Sequence, residues 1–357
     1  MTIVGASKYE QKENQVAASA SVITRDEIKT FGWRTLAEAL SSLPGIPHHL
    51  RPPIQLLGHP GIWPARRLAY PKVEVSTQAP QSQLEGRLTW GKAFAALERE
   101  MRSALEHREF SLHYQPQFDA QSGGICGVEA LIRWQHPVRG DVAPGEFIDA
   151  AEQSGLIIPI GQWVLATACA AAARWQTAGH PVRVAINLSP AQFKDTHLVQ
   201  QVSDVLKATG LSPSLLELEL SEGVVMQDTA ATQQTLQAFQ ALGVQVALDD
   251  FGTGCSSLSY LKRMPLSCLK VDQSFVAGLP SDAQDRPIIN AILAVAVGLG
   301  LRVIAGGIET QEQSQFLKQM GCHALQGYYF SRPVPTAEIN VLLATSQTQA
   351  PSGLMAL

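Results

Sequence analysis

Val244-Gln245-Val246-Ala247-Leu248 is a largely apolar run that ends in two adjacent carboxylates, Asp249-Asp250, with Phe251-Gly252-Thr253-Gly254 following at once. A strand that closes this way sets two negative charges at the carboxyl end of a sheet, an arrangement that makes sense when a cation or a protonated partner sits there. Other runs end in residues of the same kind: Glu129-Ala130-Leu131-Ile132-Arg133-Trp134, Asn187-Leu188-Ser189, Glu219-Leu220-Ser221-Glu222, Leu269-Lys270-Val271-Asp272 and Gln326-Gly327-Tyr328. Singly, each has a plain structural explanation. Glu129 or Arg133 would suit a buried ion pair, Lys270 and Asp272 a surface pair, and Asn187 a turn before Pro190. Their recurrence at successive strand ends favours one shared site.

Several carboxylates brought together repel one another, and a hard divalent cation bound through oxygen resolves the repulsion. A donor set of Glu, Asn and Asp without Cys favours Mg²⁺ or Mn²⁺ over zinc. Two adjacent aspartates can bridge two such metals about 3.5–4 Å apart, which is an arrangement for phosphoryl transfer. Arg133 then suits a phosphate clamp, and Lys270 suits the attacking water or the leaving charge.

These residues need a scaffold that gathers strand ends. Between residues 89 and 345 the chain alternates strand-like and helix-like segments. The strand-like runs are Phe110–Gln117, Ile125–Trp134, Val182–Ser189, Leu215–Leu220, Val244–Asp249, Cys268–Val271, Arg302–Ala305 and Ala324–Phe330. Helical patterns such as Trp163–Thr177, Leu198–Thr209, Ala230–Leu242, Arg286–Gly298 and Gln311–Met320 lie between most of them, with glycines closing several. Repeated βα units of this number predict an α/β fold, a modified (β/α)8 barrel of about 250 residues with its chemistry at the carboxyl ends of the strands. The alternative, a doubly wound sheet, would carry a glycine-rich phosphate loop after its first strand, and none is present.

The chain has 357 residues, 45% hydrophobic and 16% charged, with a net charge of −4. That describes a globular protein with ample core and gives no general electrostatic footprint for DNA or RNA. The five cysteines, Cys126, Cys169, Cys255, Cys268 and Cys322, follow no zinc or disulfide spacing and read as reduced thiols. No secretory leader is apparent and no run reaches ~18 uninterrupted apolar residues, so the expected location is bacterial cytoplasm without a membrane span. The longest apolar stretch, Ile288 to Leu301, reads as a buried helix. Residues 1–47 form an expected small α/β extension with capping boxes at Thr24 to Glu27 and Thr35 to Glu38. Residues 48–88, rich in proline and polar residues, read as a poorly ordered linker, and residues 346–357 as a tail.

Two resemblances follow from motifs. "SVITRDEIKTFGWRTLAEALSSLPGI" resembles the start of a TonB-dependent receptor plug domain, which makes residues 1–47 a fusion remnant or a surface for a protein partner. From about Leu97 to Pro335, "HYQPQ", "GVEALIRWQHP", "INLSPAQF", "LELELSE", "LDDFGTGCSSLSYLKRMPLSCLKVDQSFV" and "QGYYFSRP" resemble the EAL domain family, the bacterial cyclic di-GMP phosphodiesterases. The resemblance implies a modified (β/α)8 barrel that uses Mg²⁺ or Mn²⁺ to hydrolyse cyclic di-GMP to linear pGpG. It implies Glu129, Asn187, Glu219, Asp249 and Asp250 as metal ligands. It implies Lys270 as the group that positions the attacking water, and Glu222 as the brace of the Asp-Asp-Phe-Gly-Thr-Gly loop. Gln115, Leu131, Arg133 and Gln326 would meet the substrate, and Glu309 matches a later glutamate of the family. A homodimer is the expected assembly. One departure stands out: Ala305-Gly306-Gly307-Ile308-Glu309-Thr310 replaces the family's Ala-Glu-Gly-Val-Glu-Thr, so Gly306 removes a carboxylate of the catalytic network. The expectation is a slow phosphodiesterase, or alternatively a catalytically degenerate cyclic di-GMP receptor acting through a partner.

Overall fold

The computed structural model describes residues 81–225, 230–252, 261–281 and 285–346. The expected extension at 1–47, almost all of the linker and the tail from 347 lie outside the described residues. The chain divides into two units, Met1–Lys92 and Ala93–Leu357, and the second carries the barrel.

Helix α1, Gln81–His107, leads into strand β1, Phe110–Asp119. The remaining strands are β2 Ile125–His136, β3 Gly140–Val142, β4 Arg183–Leu188, β5 Leu216–Ser221, β6 Gln245–Phe251, β7 Cys268–Val271, β8 Arg302–Ala305, β9 Ala324–Leu325 and β10 Val334–Pro335. Eight of them close a barrel: β1, β9, β8, β7, β6, β5, β4 and β2 in order, with a β1–β2 pairing shutting the ring. Strand β3 extends the sheet beyond β2, and β10 lies antiparallel beside β1.

Strands β2 and β4 through β9 run parallel, but β1 is antiparallel to both β2 and β9. The expectation of successive βα units therefore fails at the first step, for a local reason. Only a short turn separates Asp119 from Ile125, and a parallel crossover needs about a dozen residues or more. The turn is built for a hairpin. The Asp119 carboxylate accepts from the Ser122 N–H at 2.7 Å and the Gln121 N–H at 3.1 Å, while Gly123 takes φ 73.

Helices α2 Pro144–Ser154, α3 Ile157–Thr177, α4 Pro190–Phe193, α5 Leu198–Thr209, α6 Glu222–Val225, α7 Ala230–Leu242, α8 Asp285–Leu299, α9 Gln311–Gln319 and α10 Thr336–Ser346 complete the fold. Helix α5 shows why such segments pack: Leu198, Val202 and Leu206 recur at four-residue spacing, all are buried, and Gly210 closes the helix at φ 71. Helix α8 buries Ile289, Ile292, Leu293 and Ala296, as the apolar pattern suggested. Helix α3 is long and apolar enough to cross a membrane by composition, yet 56% of its apolar window is buried and Trp175 packs edge-on against Tyr114 of β1.

Strand β5 explains how the barrel acquires a charged interior. Its Leu216, Leu218 and Leu220 are fully buried on the face that meets the helices, each worth roughly 1.5–3 kcal/mol of apolar burial. The alternate residues Glu217 and Glu219 are equally buried, and they pair with Arg302 of β8 and Lys270 of β7. Neither strand adjoins β5, so these contacts cross the barrel interior. The two-residue period thus has an apolar outer face and an acidic inner one, both hidden from water.

Candidate active site

Lys270, the third residue of β7, is buried at the centre of the charged layer. Its Nζ lies 2.6 Å from Glu219 Oε2, 3.3 Å from Glu129 Oε2 and 3.4 Å from Asp249 Oδ2. Burial alone would lower its pKa, but the three carboxylates outweigh that and hold the ammonium well above its ordinary value. Glu129 is pulled the other way. Burial pushes its pKa up, while the Lys270 charge and hydrogen bonds from Gln326 and Asn187 more than compensate, keeping it below the ordinary range. Glu219 sits well above that range because burial and the charges of Glu129 and Asp249 together exceed the pull of Lys270.

The carboxamides complete the frame. Asn187 Nδ2 donates to Glu129 Oε1 at 2.7 Å, and Gln326 Nε2 donates to Glu129 Oε2 at 2.7 Å and to Gln115 Oε1 at 3.0 Å. Gln115 Nε2 in turn donates to the Ser331 carbonyl at 3.1 Å. Glu129 is therefore gripped on both oxygens, and its geometry is fixed before any ligand arrives.

Strand β6 delivers the aspartate pair. Asp250 adopts φ 54, an uncommon conformation for a residue with a side chain, and its N–H donates to Asp249 Oδ1 at 3.0 Å. Partial burial and the neighbouring carboxylates of Asp249 and Asp272 raise the Asp250 pKa, and Asp250 and Asp272 share a side-chain hydrogen bond. Glu222, at the start of α6, accepts from the Gly252 N–H at 3.4 Å and so braces the turn that follows β6.

A cavity of about 200 Å³ opens on this layer, lined by Gln115, Glu129, Asp249, Asp250, Lys270, Val271, Asp272, Gln273, Gly306, Gly307 and Gln326. The sequence-predicted residues Gln115, Glu129, Asp249, Asp250, Lys270 and Gln326 thus converge, and Glu219 joins them through Lys270. Leu131 and Asn187 instead line a neighbouring, mostly apolar cavity of about 260 Å³ beside α2 and α3. Arg133 does not line the polar cavity; its Nη1 donates to the Ile132 carbonyl at 2.8 Å. Glu309 is exposed and also stands outside that lining. One strand-end residue takes a partner of its own and one participant escaped the sequence reading. Asp272, for which a surface pair with Lys270 was the plain alternative, shares a side-chain hydrogen bond with Asp250. Gln117, fully buried, donates from Nε2 to Gln326 Oε1 at 3.1 Å. The two-residue period that puts Gln115 on the inner face of β1 puts Gln117 there too, so that signal was available.

The donor chemistry suits a hard divalent cation. Glu129, Asn187, Glu219, Asp249 and Asp250 offer oxygen alone, and the buried Glu219 Oε1 has no hydrogen-bond partner among the described residues. No group of three His, Cys, Asp or Glu side chains is already drawn together for a metal among the described residues. The carboxylates converge instead on the Lys270 ammonium.

An eight-stranded barrel with helices around it, and an acidic layer opening to a cavity through one lysine, defines a TIM-like barrel with a polyanionic site. The chain matches the EAL domain family over residues 98–333 and belongs to it. The bifunctional diguanylate cyclase/cyclic di-GMP phosphodiesterase MucR of Pseudomonas aeruginosa is 44% identical over 241 residues, 67% of this chain and 35% of that protein. The cyclic di-GMP phosphodiesterase NbdA of the same organism is 40% identical over 262 residues, 73% of this chain and 34% of that protein. This chain spans about a third of the length of the curated relatives it matches. Among solved structures, a PaMucR phosphodiesterase complex with c-di-GMP is 44% identical with a TM-score of 0.66, covering 68% of this chain and 99% of that one. The EAL enzyme Bd1971, in its cAMP- and cyclic-di-GMP-bound form, is 32% identical with a TM-score of 0.68, covering 74% and 72%. The family match begins at residue 98, and the comparisons do not support the resemblance of residues 1–47 to a TonB-dependent receptor plug.

Proposed function

We propose that this chain binds cyclic di-GMP in the polar cavity and hydrolyses one of its phosphodiester bonds to give linear pGpG, slowly. The observation that carries the reading is the single cavity that gathers Gln115, Glu129, Asp249, Asp250, Lys270 and Gln326. Relatives named as cyclic di-GMP phosphodiesterases, at 40–44% identity, support it. Glu129, Asn187, Glu219, Asp249 and Asp250 would hold Mg²⁺ or Mn²⁺, which when bound offsets phosphate charge and makes water a better nucleophile. Lys270 contributes a permanent positive charge that favours the electron-rich transition state. The carboxamides of Gln115, Asn187 and Gln326 keep Glu129 in one orientation, so no reorganisation is needed at the moment of reaction. Leu131 and Arg133 stand on β2 outside the lining of this cavity, and a role for them in meeting a base or a phosphate would need Arg133 to leave the Ile132 carbonyl.

Gly306 sets the rate. It lines the cavity, and the Cβ of a larger residue there would meet only the Val271 carbonyl, at 3.7 Å, so a side chain can begin at this position without displacing its neighbours. One electrostatic or acid–base group contributes about 10²–10⁴-fold to catalysis. The test compares turnover of cyclic di-GMP with Mg²⁺ or Mn²⁺ by the wild-type chain and by Gly306→Glu. The substitution is expected to raise turnover at least tenfold while changing affinity for cyclic di-GMP little. Equal turnover would sink the role given to Gly306, and no binding at micromolar cyclic di-GMP would sink the whole reading. Gly306 also favours a second reading, a cyclic di-GMP receptor without significant turnover that passes occupancy to a partner. Tight binding with no product from the wild-type chain would select it.

A further inference from the structure

We infer that Gln117 is a positioning residue of this site, the far end of a buried carboxamide relay that fixes which way Gln326 faces Glu129. The inference rests on the cyclic di-GMP reading only for its ligand; the relay itself is a property of the ligand-free barrel.

A carboxamide has a donor end and an acceptor end, and only one of its two orientations suits a carboxylate. Gln326 turns its NH₂ toward Glu129, with Nε2 at 2.7 Å from Glu129 Oε2, which leaves Gln326 Oε1 facing β1. There it lies 3.1 Å from Gln117 Nε2, a donor. Gln115 closes the set consistently, accepting from Gln326 and donating to Ser331. If Gln117 lost its NH₂, Gln326 Oε1 would be a buried acceptor without a donor, and nothing on that side would oppose rotation of the amide. The rotated amide sets two acceptors together at Glu129, on the oxygen that also meets Lys270.

A glycine makes the relay possible. Gln117 is fully buried and its Oε1 has no hydrogen-bond partner among the described residues. A Cβ at position 127 of β2 would stand 2.6 Å from that oxygen, so Gly127 provides the space in which the Gln117 carboxamide lies. The obstruction would fall on the tip of a flexible side chain, which can move, so Gly127→Ala is expected to fold with Gln117 displaced.

The experiment uses the full chain with Gln117→Met, which keeps length and burial but donates nothing, together with Gly127→Ala and Gln326→Met. In the ligand-free protein, the Gln326 side-chain NH₂ resonances, identified by their loss in Gln326→Met, are expected to shift or broaden in Gln117→Met. Affinity for cyclic di-GMP, measured calorimetrically in EDTA, is expected to fall about tenfold in Gln117→Met and in Gly127→Ala, the order expected when a buried acceptor is left without its donor. In a Gln326→Met background, Gln117→Met should cost nothing further, because the effect travels through Gln326. Unmoved Gln326 resonances, or losses that simply add in the double variant, overturn the relay. If the wild-type chain does not bind cyclic di-GMP, the functional reading fails, and the Gln326 resonances still decide the relay.

Discussion

Glu219 carries a conflict that the site needs and the fold does not. Its carboxyl group is buried beside Glu129 and Asp249, with Lys270 Nζ at 2.6 Å, and its pKa is held well above the ordinary 4.5. The linked stability has a definite sign. A carboxyl whose folded pKa is raised binds its proton more tightly in the native state. Stability from this group is therefore full below the unfolded pKa and declines as pH climbs from about 4.5 toward the folded value. Glu219→Gln removes that decline while keeping an oxygen for Lys270. In EDTA at pH 7.5 the variant is expected to unfold about 2–4 °C higher than wild type, on the order of 1 kcal/mol, with no gain at pH 4. Calorimetric melts at the two pH values check this. A gain of equal size at both would mean that protonation of Glu219 is not its source. The same substitution should abolish turnover, the familiar exchange of function for stability at a charged site.

Strand β6 shows what an element must do beyond forming. It ends at Phe251, and the chain leaves ordinary strand geometry there, Asp250 at φ 54 and Gly252, just beyond the strand, at φ 101. Gly252 is required twice over, since a Cβ there would lie 2.9 Å from the Phe275 ring in a backbone conformation that side chains rarely adopt. Gly252→Ala is expected to cost about 1–3 kcal/mol. It should also weaken cyclic di-GMP binding, because the displaced turn carries Asp249 and Asp250 with it. Thermal unfolding paired with calorimetric titration measures both, and a stability loss without an affinity loss would separate the turn from the site. Elements of this kind were legible in the sequence where one rule governed them. Helices α5 and α7 begin and end as read, because their apolar spacing and terminal glycines agree. The last strand was read too long, as Ala324–Phe330, whereas β9 stops at Leu325. Backbone contact with another segment decides that stop. Tyr329 N–H donates to the Ile308 carbonyl at 3.0 Å, Phe330 N–H to that of Gly327 at 3.1 Å, and a Cβ on Gly327 would lie 2.1 Å from the Ile308 carbonyl oxygen. The charged residues of the site were legible because carboxylates at strand ends are costly and conspicuous. Gln117 was not, because a neutral amide looks ordinary until its partners are in view.

The barrel as a whole is closed unevenly. Strands β4, β5 and β6 are joined by five paired positions at each step, whereas β9 meets β8 at only two and β1 at only two, Phe118 with Leu325 and Asp119 with Ala324. Side chains carry much of that seam. Gln117 and Gln115 of β1 bond Gln326, Gln115 bonds Ser331, and Phe118 stacks on Phe330 with ring centroids 4.8 Å apart. The groups that orient Glu129 are therefore the groups that close the barrel, so loosening the seam should loosen the site. Such local opening is set by the contacts a region loses and is read directly by amide exchange. Truncating Phe330 to alanine removes an aromatic pair worth about 0.5–1.5 kcal/mol beyond its burial, on an edge with few ladder bonds to compensate. The expected result is exchange that accelerates first in β1 and β9 while β4, β5 and β6 stay protected, with affinity for cyclic di-GMP falling alongside. Under the proposed function cyclic di-GMP is a ligand of the closed barrel, so saturating cyclic di-GMP should restore protection along the seam by mass action. Uniform loss of protection across all eight strands would show instead that the ring opens as one unit and that β1–β9 is not its weak point.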